Sequence, residues 1–428
     1  MKQSILLIIA MLLAGCGSEH NGDSASPQTK TDQPAAMQPK PIQLAGLWRG
    51  VLASPGGELP FGIQVSKTES GYSAQILNGS ERADTSAVLV DGQHIEIQFD
   101  WYDARIKASL DATGDVMNGQ WSKTAAGAIS QLPFKASRGY GHRFRFPADS
   151  QVMSSVNGVW EATFVDEDGE SVAVGEFSQS GPVVKGTFLT PTGDYRFLAG
   201  HAMNGELKLS AFDGAHAFLF TAELSDEGIL EGDFWSRDTY HASWTARRND
   251  QAHEVLPDSW DMVAVTTEDH SVSFAFEDLN GQLVQLSDDR FQNKAMLLNI
   301  FGTWCPNCND EAPVLAEFHQ KYRDQGFEIV GLAFEYTGDK ARDQQQLERF
   351  KNRYGIEYPL LLAGTNDKQQ AAEVLGFIDQ VVAYPTSVFL DRNHQVVNIH
   401  SGFAGPGTGE HYEKLKAELE AQIKALIN

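Results

Sequence analysis

The sequence predicts a multidomain chain: an N-terminal all-β, duplicated antiparallel region followed by an α/β domain. Three observations carry this. From 42 to about 248, short runs such as "HIEIQF" and "ELKLSAF" alternate apolar and polar residues between Gly, Asn and Asp turns. Landmarks inside that region recur at a nearly constant offset. Beyond about 269 the pattern changes to continuous apolar runs alternating with segments of helical period. At 428 residues the chain is also too long for one ordinary core.

The first residues, "MKQSILLIIAMLLAGC", join a positive Lys2 to an apolar run ending in Leu13-Ala14-Gly15-Cys16. The run is shorter than the ~20 residues a membrane span needs and suits a secretory signal. It looks like a bacterial lipobox, which implies that 1–15 is a lipoprotein signal peptide and that Cys16 is the lipidated residue. Gly17 follows, which favours the outer membrane if the cell is Gram-negative. Residues 16–41 are polar and rich in Pro, Ser and Gln. They have too few large apolar residues to build a core and are expected to form a flexible tether.

Two β units follow, at 42–145 and 146–248. Gly46-Leu47-Trp48 recurs as Gly158-Val159-Trp160, and Phe99-Asp100 recurs as Phe212-Asp213. Leu110, Gly114 and Trp121 recur as Leu224, Gly228 and Trp235. Trp48 and Trp160 are expected in the cores rather than at a ligand. A polar segment, 249–268, reads as a linker, so that the β region and the C-terminal domain should fold separately.

The α/β domain spans 269–428. "SVSFAFEDLNGQLVQLS" reads as a hairpin turning at Asn280-Gly281. "AMLLNIFG" and "FEIVGLAFE" are buried strands. "DEAPVLAEFHQKYRDQG" is a helix stopped by Gly326. A second helix is expected at 343–355, paired strands at 386–391 and 395–401, and a closing helix at 409–427.

The net charge of −24 argues against nucleic acid and anionic lipid headgroups as partners. Of three cysteines, two stand together in "FGTWCPNCNDEAP". A zinc site would need further ligands, and no second Cys pair exists. His394 and His400 lie along one extended run, roughly 20 Å apart, too far to share an ion. No metal and no cofactor is therefore expected. Cys305-Pro306-Asn307-Cys308 instead sits between a buried strand and the start of a helix. Unpaired N–H groups and the helix dipole there stabilise a thiolate. Pro306 suits the first helical turn. Cys305 should attack and be the more exposed sulfur; Cys308, one turn inward, should resolve the mixed disulfide.

These pieces resemble the thioredoxin-like domain of exported, membrane-tethered disulfide oxidoreductases of the TlpA/ResA type. The likeness rests on "FEDLNGQLVQLSD", "LLNIFGTWCPNCNDEAPVLAEF", "YPTSVFLDRNHQVV" and Gly402. It implies a redox-active Cys305–Cys308 disulfide, a proton-handling Glu311 and a cis-proline at Pro385 facing the pair. Candidate substrate contacts are Trp304, Pro306 and Tyr384. The stretch between 335 and 375 matches an insertion typical of the type. Asn299 stands where thioredoxin itself has a buried acid, which leaves more proton transfer to Glu311. Phe301-Gly302 replaces the commoner Trp-Ala.

The expected function is an extracytoplasmic thiol-disulfide oxidoreductase, read as a disulfide reductase. Its partners would be protein thiols and disulfides, plus a membrane electron donor or acceptor. The chain would be lipid-anchored in the cell envelope, with the β units recognising a partner or acting as a spacer. One alternative is a peroxiredoxin-like thiol peroxidase. Its Pro-x3-Thr/Ser-x2-Cys loop is not matched, because Leu298 and Gly302 occupy those places. The other is an envelope binding protein whose redox domain is secondary.

Overall fold

The computed structural model describes residues 43–428 apart from 126–127 and 140. The expected signal peptide at 1–15, Cys16 and the expected tether lie outside the described residues. Among those described, no helix is long and apolar enough to cross a membrane.

The β region forms two nine-stranded antiparallel sheets. Numbered along the chain within each unit, the strands lie side by side in the order 2-1-9-8-7-6-5-3-4 in both. In both, strand 2 also pairs with strand 3, which closes eight strands into a barrel and leaves the short strand 4 outside. Closure removes the exposed edges that an open sheet would present. Inward side chains follow the period-2 pattern. Trp48, Phe61, Phe99 and Trp121 fill the first barrel; Trp160, Phe164, Phe188, Phe220 and Trp244 fill the second.

The two opening tryptophans sit alike. Trp48 Nε1 donates to Leu44 O and Trp160 Nε1 to Val156 O, each at 2.9 Å. Arg138 covers the first ring and Arg248 the second. The barrels also interlock. Phe212, from the second unit, lies 4.3 Å from Phe61 between ring centroids and belongs to the first barrel's core. Asn78 fixes it there, donating to Phe212 O (2.6 Å) and accepting from Phe212 N–H (3.1 Å).

The C-terminal domain has a seven-stranded sheet with four helices. In chain order its elements are β1 (Ala275–Asp278), β2 (Leu283–Gln285), β3 (Ala295–Phe301), α1 (Pro306–Tyr322) and β4 (Phe327–Glu335). Then follow α2 (Lys340–Tyr354), β5 (Leu360–Thr365), α3 (Lys368–Leu375), β6 (Thr386–Leu390), β7 (Val396–Ser401) and α4 (Glu410–Ile427). The sheet order is β2-β1-β5-β4-β3-β6-β7. The pairs β3–β4 and β4–β5 are parallel, and the rest are antiparallel. Every residue of β3 is buried, as expected of an apolar run interrupted only by Asn299.

Ile42–Asn428 pack as one unit. The β region and the C-terminal domain, expected to fold separately across 249–268, are in direct contact. Part of that segment docks on the C-terminal domain: Val263 enters its core, and Val265 bridges to Ile378. Charged contacts lock the β region to the same domain. Arg342 of α2 bonds Asp103, Gln346 Nε2 donates to Asp100 O at 3.1 Å, and Arg353 lies over the Trp101 ring. The polar composition of 249–268 reflects its exposed side, while a few apolar residues do the anchoring.

Candidate active site

Cys305 is the residue that caps α1. Its backbone is extended, and its Sγ accepts the N–H of Cys308 at 3.2 Å. Pro306 follows at the first helical position, where no N–H is needed. The Cys305 thiol donates to the Tyr384 carbonyl at 3.2 Å, and the Tyr384–Pro385 peptide bond is cis. Both cysteines are present as free thiols.

The turn before the pair is held by a residue that the sequence did not flag. Glu335, at the end of β4, accepts from Thr303 N–H and Thr303 Oγ1, both at 2.8 Å. Burial pushes its carboxyl up to about 7. Asn309 closes the loop from the other side, donating to Thr303 O (2.9 Å) and Cys305 O (2.8 Å). Trp304 donates from Nε1 to Phe334 O at 2.8 Å, stacks on Tyr336 and meets Tyr384 edge-on. A half-buried ring tied to three neighbours is first a structural wall of the site.

Behind the pair, Glu311 is 1% exposed. Its two oxygens accept from Asn299 Nδ2 (2.6 Å) and Ser387 Oγ (3.0 Å). Burial outweighs both bonds and pushes its carboxyl up to about 7. Cys308 is pushed well above the ordinary thiol range, by burial first, then by its hydrogen bond to Cys305 and the nearby charges of Cys305 and Glu311. The structure thus brings Cys305, Cys308, Glu311, Trp304, Tyr384 and Pro385 together around the start of α1.

Cys305 is 4% accessible, against 2% for Cys308, so the expected order of exposure holds although both residues are buried. The β region stands close to the mouth of the site. Asn307, between the cysteines, donates to Thr192 O of the second barrel at 3.4 Å. Gly193 approaches so closely that a Cβ there would lie 1.8 Å from Asn307 Nδ2. Gly402, with φ +88°, faces the same turn, and its own Cβ would meet Thr192 O at 2.9 Å. Asp194 accepts from Gly405 N–H at 2.6 Å.

Beside this turn Arg196 joins three carboxylates from three places. They are Glu81 of the first barrel (2.7 Å), Asp213 of the second (3.0 Å) and Asp310 of α1 (2.6 Å). The guanidinium side chain is 9% exposed. Lys123 of the first barrel is buried and within electrostatic reach of Cys305; burial pulls its ammonium down to about 8. Lys368 of α3 also lies within electrostatic reach of Cys305. Nothing local in the sequence marks these residues, because most of their partners lie far away along the chain: Glu81 and Asp310 are each more than a hundred positions from Arg196.

A two-cysteine turn capping a helix, opposite a cis-proline and backed by a buried acid on a central sheet, defines a thioredoxin-like thiol-disulfide oxidoreductase. Residues 267–399 match the model of the AhpC/TSA family. The chain is 28% identical over 136 residues to "Thiol-disulfide oxidoreductase ResA" of Halalkalibacterium halodurans, covering 31% of this chain and 68% of that protein. It is 30% identical over 154 residues to the ResA of Bacillus thuringiensis (strain Al Hakam), covering 36% and 75% respectively. A crystal structure of a thiol:disulfide interchange protein from Chlorobium tepidum TLS is matched at 22% identity, over 39% of this chain and all of that one, with a TM-score of 0.30. The chain belongs, through its C-terminal domain, to the TlpA/ResA-type thiol-disulfide oxidoreductases.

Proposed function

We propose that this protein exchanges thiols and disulfides of protein substrates outside the cytoplasm, acting as a disulfide reductase through Cys305 and Cys308. The carrying observation is Cys305 Sγ at the head of α1, accepting the Cys308 N–H and facing the Tyr384 carbonyl. The Cys305 thiolate attacks one sulfur of a substrate disulfide and forms a mixed disulfide, and the other substrate sulfur leaves as a thiolate. Cys308 loses its proton and attacks Cys305 Sγ. The substrate departs with both electrons, and Cys305–Cys308 is left as a disulfide. Cys308 is a poor acid where it sits, so it needs a base. Glu311, at about 7, is matched to take that proton near neutral pH. A membrane redox partner would restore the dithiol, and the lipobox reading at Cys16 would keep the chain at the envelope. Trp304, Pro306 and Tyr384 would line the approach of the substrate.

The β region is read as two copies of one unit that together govern access. The turn at 190–194 occupies the ground between Asn307 and Gly402 where a substrate would approach. Recognition of the true partner would then include displacement of this turn, which a spacer would not need. The peroxidase alternative gains nothing from the geometry: Gly302 has no hydroxyl, and the Thr303 hydroxyl is committed to Glu335. The test is insulin reduction with dithiothreitol, run beside peroxide consumption. Turnover of the disulfide, lost in Cys305→Ser, is expected. Peroxide consumption without disulfide turnover would overturn the reading.

A further inference from the structure

Away from the dithiol, three side chains from three parts of the chain meet at one point. Glu176 belongs to a strand of the second barrel, Gly169–Ser180. His253 sits in the short 3-10 turn Ala252–Val255, just after that barrel's last strand. His411 lies in the first turn of α4. His253 Nε2 is 2.7 Å and His411 Nε2 is 2.9 Å from the same oxygen, Glu176 Oε1. The two imidazoles lie nearly parallel, 5.0 Å apart between centroids. The three donor atoms all fall within 4.8 Å of one another.

A hydrogen-bonded clasp would need only one imidazole per carboxylate oxygen. Here both rings aim the same nitrogen at one spot, and both rings and the carboxylate are about one-third open to solvent. Tetrahedral ions bind imidazole nitrogen at ~2.0–2.1 Å and carboxylate oxygen at ~2.0–2.2 Å. Donors spaced this closely reach such a centre by side-chain rotation alone. The geometry points to a divalent metal site of zinc type formed by Glu176, His253 and His411, with water completing the coordination. Two imidazoles and one carboxylate favour a borderline ion over calcium or magnesium, which take oxygen sets. Flanking Glu410 adds negative charge and Lys414 opposes it. The ligands come from three parts of the chain: the second barrel, the connecting segment and the last helix. The ion would therefore tie the β region to the redox domain, independently of any electron transfer.

The test uses the full chain, purified without a histidine tag, with Cys16, Cys305 and Cys308 all replaced by serine so that no thiol competes for the ion. Calorimetric titration with zinc chloride at neutral pH should show one saturable equivalent. His253→Ala and His411→Ala should each weaken it by about tenfold or more. Zinc should raise the melting temperature of the parent and not of these variants, because only the folded parent holds the site. Circular dichroism checks that the variants are folded; all three positions are part-exposed, so their loss leaves the cores intact. No saturable uptake by the parent, or uptake unchanged in both histidine variants, would overturn the proposal.

Discussion

Replacing Glu311 with glutamine separates the cost of a buried acid from its use. The carboxyl is raised from 4.5 to about 7, chiefly by burial. At ~1.36 kcal/mol per pH unit, that displacement corresponds to roughly 3 kcal/mol. Between pH 4.5 and about 7 the folded chain keeps a proton that the unfolded chain has lost. Stability contributed by this group is therefore complete at acid pH, falls as pH rises through that window, and levels off above it. Glutamine cannot ionise, yet it is isosteric and can still pair with Asn299 and Ser387. Urea denaturation of the reduced proteins should give similar stabilities at pH 4. At pH 8 the Glu311→Gln protein should be the more stable by up to about 3 kcal/mol. Disulfide turnover should move the other way, falling ~10²-fold, with the rise in rate near pH 7 flattened. If the two proteins lost stability in parallel from pH 4 to pH 8, Glu311 would not be the buried acid described, and its role as the base would lose its support.

Three further outcomes bear on the cover over the pair and on the barrels. Arg196→Ala would leave Glu81, Asp213 and Asp310 clustered without their cation. It should cost ~3–5 kcal/mol in denaturant titrations and speed alkylation of Cys305. Gly193→Val places a side chain where Asn307 Nδ2 already stands; the turn should lift, and Cys305 alkylation should accelerate with little loss of global stability. Alkylation unchanged from the parent would show that this turn does not guard the sulfur. Phe212→Ala removes the ring that enters the first barrel from the second unit and should cost ~3–5 kcal/mol in a calorimetric scan.

Much of the C-terminal domain was legible because its central strands carry largely apolar runs. β4 spans the residues that the pattern picks out, and β3 and α1 differ from it only at their ends. β5 and α3 were not separated in advance. "LLLAGT" is too short to distinguish strand from helix by period, and α3 has only eight residues. In the β region the strand Glu206–Phe212 was readable as alternating. Alternation puts Phe212 in phase with Glu206, Lys208 and Ser210, on the face opposite Leu207 and Leu209, and it cannot show that the ring enters the neighbouring barrel.

The dithiol was legible from two cysteines at a strand-to-helix junction. What surrounds it was not. Lys123 reads as one more charge on an alternating strand, and Glu335 as the polar end of an apolar one. Arg196 and Asp194 read as turn residues. Their importance comes from partners such as Asp310 and Gly405, brought to them only by the packing of the β region on α1. The near-complete burial of Cys305 was not legible for the same reason. Helix position predicts which sulfur faces outward from its own domain, and here another part of the chain covers that direction.

The central claim is that Cys305 is the attacking sulfur and Cys308 the resolving one. Trapping tests it most directly. Reduced Cys308→Ser and Cys305→Ser proteins would each be incubated with a disulfide-bonded peptide and analysed by intact mass spectrometry. The account predicts a stable mixed disulfide on Cys305 in the Cys308→Ser protein, and little or none on Cys308 in the Cys305→Ser protein. Adduct formation on Cys308 as fast as, or faster than, on Cys305 would contradict it.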